Sequence, residues 1–120
     1  MTDDRSRWMV LLYEDENAWA TATPEQQEVY LDRHRDYEQN AAGHGVAILS
    51  SDALQPTAHA TTLRAGEERI ASDGPFAETT EQLGGFYLVE AASRGDVVDH
   101  ARRLPPSYTI EVRPVAIIDF

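Results

Sequence analysis

The sequence contains no cysteine, which excludes disulfides, thiol nucleophiles, zinc–thiolate sites and iron–sulfur clusters. Basic residues are scarce as well, since 10 Lys plus Arg stand against 21 Asp plus Glu and the formal net charge is -11. A protein that binds nucleic acid or an anionic membrane surface needs positive charge to neutralise phosphates. We therefore expect neither a nucleic acid nor a membrane as a partner.

A long hydrophobic run near the start of the chain is also missing. The apolar run over residues 8–13 is too short for the hydrophobic region of a signal peptide or for a membrane span. We therefore expect a cytoplasmic protein. The 120 residues are 42% apolar and 26% charged, which is typical of a globular protein, so residues 1–120 are predicted to form a single domain around one core.

Short apolar runs and capping signals predict the secondary structure. One helix begins at Pro24, behind a T-x-x-Q capping box, and ends at Gly43. A second helix runs from a cap at Ser93 to a stop at Pro105. Strands are predicted over 8–13, where both faces are expected to be buried, and over 46–49, 86–90 and 108–118, and a hairpin with its turn at Gly66 has arms over 59–64 and 68–72.

The order of these elements is β, α, β, hairpin, β, α, β, which predicts an α+β fold, a ferredoxin-like sandwich with an inserted β-hairpin. Helices cover one face of the sheet in this topology and leave the other face open. That open face would be built from Trp8, Val10, Phe86 and Leu88 or from their alternating neighbours. Because an open apolar face must be covered, we expect a homodimer.

His34 is the histidine with the most informative position. It shares one face of the first helix with Tyr30, Tyr37 and Ala41, at steps of three and four residues. A histidine on an inward face is commonly a packed residue whose N–H is satisfied by a carbonyl. An imidazole between two tyrosine rings at the edge of a pocket would instead suit a general acid or base. Both interpretations fit the spacing.

Asp73 stands in the string SDGPFAE and also has two interpretations. Asp followed by Gly74 and Pro75 is sufficient to build a turn, with the carboxylate accepting backbone N–H bonds. A turn does not require Phe76, however, and an aspartate at a strand end could hold the tautomer of His34 as in a catalytic triad. We expect Asp73 chiefly to build the turn and secondarily to face the pocket of His34.

Recognised cofactor motifs are missing. There is no G-x-G-x-x-G, Walker or G-x-S-x-G pattern and no H-E-x-x-H spacing, so no cofactor and no metal are expected. Gly84-Gly85 is either a stop before the strand over 86–90 or a point of close backbone approach to a ligand. The acidic run over 14–16 is either a solvated loop or a weak cation site.

The strings LLYEDENAW, TPEQQE, LQPTAHATTLR, IEVRP and, above all, DGPFAETTEQLGGFYLVE resemble the YCII-related family, in its DGPF-type branch. The resemblance covers nearly the whole chain and implies a ferredoxin-like fold that forms a dimeric α+β barrel. It also implies a pocket with a catalytic histidine and aspartate. His34 matches the histidine, whereas the aspartate of smaller relatives lies near the end of that helix, where this chain has residues 40–43 with the sequence NAAG. Asp73 is the substitute candidate.

The sequence is compatible with two functions. Some relatives resemble dehalogenases or lactone isomerases acting on small ring compounds, which implies a small organic ligand and acid–base chemistry of a lyase, isomerase or dehalogenase kind. DGPF-type proteins often accompany extracytoplasmic-function sigma factors, which implies instead a non-enzymatic accessory or regulatory protein. In the first case His34 and Asp73 are the candidate catalytic residues, and the candidate ligand-binding residues are Tyr30, Tyr37, Phe76 and Gly85.

Overall fold

The computed structural model describes residues 5–119. The strands are β1 (Ser6–Asp15), β2 (Val46–Ala53), β3 (Thr61–Leu63), β4 (Ala71–Asp73), β5 (Glu81–Ala91) and β6 (Thr109–Pro114). The α-helices are α1 (Ala18–Thr21), α2 (Pro24–Asn40) and α3 (Arg94–Ala101), and single turns of 3-10 helix occupy Ala42–His44 and Thr57–His59. None of the helices within residues 5–119 has the length and apolar character needed to cross a membrane.

Four strands form one antiparallel sheet in the order β2-β5-β1-β6, and β3 pairs with β4 in a separate hairpin. With helices after the first strand and before the last, this order is consistent with a ferredoxin-like fold, and the predicted inserted hairpin is confirmed. Gly66 has a φ of 132° in the hairpin turn, a value that glycine adopts readily because it lacks a Cβ.

The core lies between the sheet and the helices α2 and α3. Every second residue of β1 from Trp8 to Leu12 is buried in this core, and so are Tyr87 and Val89 on the same face of β5. From the helices come Tyr37, Ala41, Val97 and Ala101, followed by Leu104 just beyond α3. Burial of such a stripe against a sheet is what stabilises helices of this length.

The expected composition of the open sheet face was half wrong. Trp8 pairs with Val89 and Val10 pairs with Tyr87, so these two residues of β1 face the helices and are buried. Phe86 and Leu88 do lie on the opposite face, because successive residues of a strand point to opposite sides. Their neighbours there are Met9 and Leu11, and all four side chains are half-buried in the single chain. Strand β1 is therefore fully buried on only one face.

Three predicted boundaries were also wrong. Helix α2 has the predicted capping box, but the left-handed residue after it is Gly45, with a φ of 77°, and not Gly43, because a turn of 3-10 helix continues the chain. Gly84-Gly85 lies inside β5 instead of stopping the chain before it, at a β-bulge opposite Leu12 and Tyr13. The last strand ends at Pro114, so residues 115–119 are not part of it.

His100 is the buried polar side chain of the core within residues 5–119, with 2% of its surface exposed. Its Nε2 lies 2.6 Å from the carbonyl oxygen of Tyr37, which makes Nε2 the donor, and its Nδ1 has no partner among the described residues. Burial lowers the pKa of His100, as do His44 and Arg103, while the Tyr37 carbonyl and Asp36 act in the opposite direction. The neutral imidazole is therefore the form that the fold accepts.

We expect the free energy of unfolding to fall as the pH drops below 6.5, the ordinary pKa of a histidine. The unfolded chain takes up a proton there that folded His100 resists, so this contribution is fully present above that pH and is lost as the pH falls through the lowered pKa of the folded state. Urea unfolding of His100→Gln, which keeps an N–H donor, should show a weaker loss between about pH 7 and pH 5. The exposed His59 provides the control, since His59→Gln should keep the slope of the parent protein. If the free energy of unfolding changed equally with pH in all three proteins, this would contradict the neutral state of His100 in the folded protein.

Candidate functional site

A cavity of about 620 Å³ opens at one end of the four-stranded sheet, beside helix α2. Because all neighbouring strands are antiparallel, the C-terminal residues of β1 and β2 lie beside the N-terminal residues of β5 and β6 at this edge of the sheet. Its size is within the range of pockets that enclose small organic ligands. Aromatic and apolar side chains form much of the wall, among them Leu12, Trp19, Tyr30, Leu83, Tyr87 and Tyr108.

His34 projects from α2 into this wall and is half-buried. Both of its ring nitrogens are held by tyrosine hydroxyls: Nδ1 lies 2.7 Å from Tyr87 Oη and Nε2 lies 2.9 Å from Tyr108 Oη. Tyr87 comes from the middle of β5, and Tyr108 directly precedes β6, so the sheet fixes the position of both partners. The imidazole is therefore oriented by two separate elements.

The hydrogen bonds continue on both sides of His34 and end on carboxylates. On one side the Tyr87 hydroxyl donates to Glu38 Oε2 at 3.2 Å. On the other side the hydroxyl of Tyr108 bonds that of Tyr30, which donates to Glu14 Oε1 at 2.6 Å. We call this series, from Glu38 through His34 to Glu14, the His34 chain.

The His34 chain has a definite proton count. It contains five hydrogen-bonded contacts in series, and each needs one proton between its two heavy atoms. Three tyrosine hydroxyls and a neutral imidazole supply four protons. An imidazolium supplies the fifth. The ring then donates in both directions, Tyr87 donates to Glu38, and Tyr108 donates to Tyr30, which donates to Glu14. Protonation of His34 therefore completes the chain, which suits a residue that accepts a proton from a ligand.

The pKa shifts agree with a base that is neutral at rest. Burial lowers the pKa of His34, against the opposing effect of the Glu38 and Glu14 carboxylates. Burial raises the pKa of Tyr108 to about 12, and burial with nearby carboxylates also raises the pKa of Tyr30 and Tyr87. The three tyrosines consequently remain hydroxyl donors near neutral pH, and His34 is the group that can change its protonation state.

The structure brings together only part of the predicted site. Tyr30 belongs to the His34 chain, and Gly85 lines the cavity. Tyr37 lies behind the site, fully buried against the ring of Tyr87 at a centroid distance of 4.6 Å, so it supports the wall without reaching the cavity. Gly85 also suits the sheet at this point, because a Cβ there would lie 3.0 Å from the Asp52 carbonyl oxygen, closer than ordinary van der Waals contact.

Asp73 ends β4 of the hairpin and Phe76 follows it, and neither residue lines the cavity. Asp73 is the exposed last residue of β4, and within residues 5–119 its carboxylate accepts none of the backbone hydrogen bonds expected for a turn. The turn is held instead by Gly74, whose N–H donates to the Ala60 carbonyl at 2.8 Å and whose φ is 101°. Phe76 is 81% exposed and lies under the guanidinium of Arg64.

Sequence reasoning missed the partners of His34. Glu38 was visible as the residue four positions after His34 on the same helix, a spacing that places two side chains side by side. Glu14 belongs to the acidic run over 14–16, for which the sequence predicts a solvated loop or a weak cation site, whereas the structure places Glu14 within β1. Tyr87 and Tyr108 gave no signal of their own, because strand tyrosines are commonly core residues and the contact depends on how the strands register.

We expect the two candidate carboxylates to affect the pKa of His34 differently. Glu38→Gln should lower it further, since the Glu38 charge favours the imidazolium. Asp73→Asn should leave it unchanged, because both ring nitrogens are engaged by tyrosines. An NMR titration of the imidazole resonances of His34 in the two variants measures both effects. A clear fall in Asp73→Asn would show that Asp73 and His34 form a pair.

The features above define a class of protein, a small antiparallel α+β domain whose long helix presents a histidine to an aromatic cavity at the end of the sheet. Residues 6–120 match the YCII-related domain. An uncharacterized protein of Rhizobium meliloti (strain 1021) is 38% identical over 115 residues, which cover 92% of each chain. The chain therefore belongs to the YCII-related domain family.

Proposed function

We propose that the protein binds a small organic ligand in the His34 cavity and transfers a proton to or from it. One observation carries the proposal: a half-buried imidazole at a cavity wall has both nitrogens fixed by hydroxyls whose series ends on carboxylates. A packed structural histidine needs only one satisfied N–H. His100 in the same core illustrates that simpler arrangement, with one bond to a backbone carbonyl.

The chemistry of His34 would be that of a general base. A proton from a carbon or oxygen of the ligand passes to the tyrosine hydroxyl that donates to the neutral ring, and this hydroxyl gives its own proton to the imidazole. The Tyr87 and Tyr108 hydroxyls then accept the two N–H bonds of the charged ring. Glu38 and Glu14 then supply the compensating negative charge at the ends of the His34 chain. Lyase, isomerase and dehalogenase-like reactions that proceed through loss of a proton begin with such a step. Within the family, we assign this chain to the DGPF-type branch.

The working form that we propose is a homodimer. Met9, Leu11, Phe86 and Leu88 form a contiguous apolar centre on the open sheet face. The radius of gyration is 16.5 Å, against about 14 Å for a compact domain of this length, because the hairpin and the residues after β6 extend from the body. Ile117, which is 99% exposed, belongs to this extended part. A second copy would cover these surfaces.

Proton exchange into deuterated water tests the proposed chemistry without a known substrate. The protein is incubated with a panel of small ring ketones and lactones, including members that carry an amine, and loss of the acidic C–H signals is followed by NMR. We expect at least one compound to exchange faster with the protein than in buffer alone. Exchange at the buffer rate throughout the panel would reduce the proposal to ligand binding and would favour a regulatory protein without enzymatic activity.

A further inference from the structure

The charged residues along the cavity wall are all acidic. They are Glu14, Glu16 and Asp52, and among the described residues 5–119 no arginine lines the cavity. The chain contains no lysine at all. His34 is neutral at rest because its burial lowers the pKa of the imidazole. A carboxylate or phosphate entering this cavity would thus lose its hydration without gaining an opposite charge, which is unfavourable.

Within residues 5–119, no arginine forms an ion pair with the cavity carboxylates that would cancel their charge. Glu14 accepts hydrogen bonds from Tyr30 and Ser107, and Glu16 accepts two from Thr57, at 2.8 and 2.9 Å. Neutral donors of this kind orient a carboxylate but leave its negative charge in place, and the Thr57 bonds lower the pKa of Glu16. The local charge has the same sign as the net charge of -11 for the whole chain, so the wider field also attracts cations.

Aromatic rings supply the second half of a cation site. Trp19 and Tyr30 have ring centroids 5.4 Å apart with an interplanar angle of 58°. Tyr30 and Tyr108 are also 5.4 Å apart and are nearly perpendicular, at 70°. Three rings at an angle to one another present faces and edges around a common corner of the wall, and ring faces attract ammonium groups within about 6 Å of the centroid. Trp19 is 41% exposed, although tryptophan side chains are highly buried on average.

We propose that the His34 cavity selects a cationic organic ligand, a small apolar body carrying an amine or quaternary ammonium group, over anionic ligands. This inference rests on the proposed function and narrows it to a substrate class. The ammonium group lies at the corner formed by Trp19, Tyr30 and Tyr108, close to the Glu14 carboxylate. The apolar body occupies the part of the cavity lined by Leu12 and Leu83.

Calorimetric titration with three matched probes tests the selection. The probes are 2-phenylethylamine, 2-phenylethanol and 3-phenylpropanoate, which share a ring and differ in charge, and about 0.1 M salt screens the long-range field. We expect the amine to bind about tenfold or more tightly than the propanoate, with the alcohol between them. Trp19→Ala should weaken binding of the amine more than that of the alcohol, because only the cation uses the ring face.

A pair of double variants separates the cavity carboxylates from net charge. Glu14→Gln with Asp52→Asn should lower the affinity for the amine about fivefold or more while sparing the alcohol. Asp96→Asn with Asp99→Asn changes the net charge equally on α3, outside the cavity wall, and should leave the affinity for the amine within a factor of about two.

The possible failures have separate meanings. Binding of the propanoate or the alcohol as tightly as the amine would overturn the cationic selection and leave the His34 cavity as a ligand site. Equal losses of affinity for the amine in the two double variants would overturn the role of the cavity carboxylates. If none of the probes binds up to about 10 mM, beyond the range of weak fragment binding, both the selection and the ligand-binding function are overturned.

Discussion

Leu88→Glu should convert the proposed homodimer into a folded monomer. Leu88 lies at the centre of the open sheet face, paired with Met9 on one side and with Ser50 on the other. In the dimer that we propose, a glutamate there would be an unpaired charge in an apolar interface, which costs about 3–5 kcal/mol and raises the dimer dissociation constant by about 10² or more. Sedimentation equilibrium at micromolar concentration measures this change.

The control for this experiment is Val29→Glu, which adds the same charge at a residue of α2 that is 58% exposed. It should leave the association constant unchanged, and circular dichroism should show that both variants remain folded. A parent protein that sediments as a monomer would contradict the dimer at once. An unaltered dimer of Leu88→Glu would place the interface on another surface, such as the hairpin with its exposed Leu63 and Ile70.

His34→Gln should reduce the exchange of an active ring compound by about 10² or more, the usual contribution of a positioned acid–base group. The amide of glutamine can keep a hydrogen bond to Tyr87 or Tyr108 but cannot take up a proton near neutral pH. Since His34 is half-buried and outside the central core, the fold should survive the change. The rate of exchange per active site, measured by NMR at saturating compound, gives the result.

His59→Gln is the matched control, because His59 is exposed and lies outside the cavity wall. This variant should catalyse exchange of the C–H protons of the compound at the rate of the parent protein. Undiminished exchange by a folded His34→Gln would reject the catalytic role. Loss of the fold in His34→Gln would instead identify the imidazole as a packing residue, and the pH dependence of exchange by the parent protein would then report the base independently.

Much of the fold was predictable because local signals and tertiary structure agree. The capping box before Pro24 and the cap at Ser93 start α2 and α3 where they were predicted, with side-chain oxygens accepting the expected backbone bonds. Strand ends were less predictable, since Gln82 and Ser51 extend their strands through pairing with neighbours instead of through their own propensity.

The candidate site was less predictable because its contacts are set by register. The helical spacing of Tyr30 and His34 was sufficient to place both at one surface. Tyr108, however, reaches His34 across 74 positions of sequence, through the pairing of β6 with β1, which no local pattern encodes. The Asp-Gly-Pro string that begins at Asp73 is a strong turn signal, but the turn it indicates belongs to the hairpin. The positions beside the imidazole that an aspartate would need are occupied by tyrosines.

The imidazole resonances of the four histidines give the most direct test of the central claim, that the His34 cavity is a ligand site. The protein is titrated with 2-phenylethylamine, and the side-chain signals, assigned with single His→Gln variants, are followed by ¹H–¹⁵N NMR. We predict a saturable shift of the His34 resonances, while those of the buried His100 and the exposed His59 remain in place. Saturable shifts that leave His34 unchanged, or no shift of any histidine up to about 10 mM, would contradict the account.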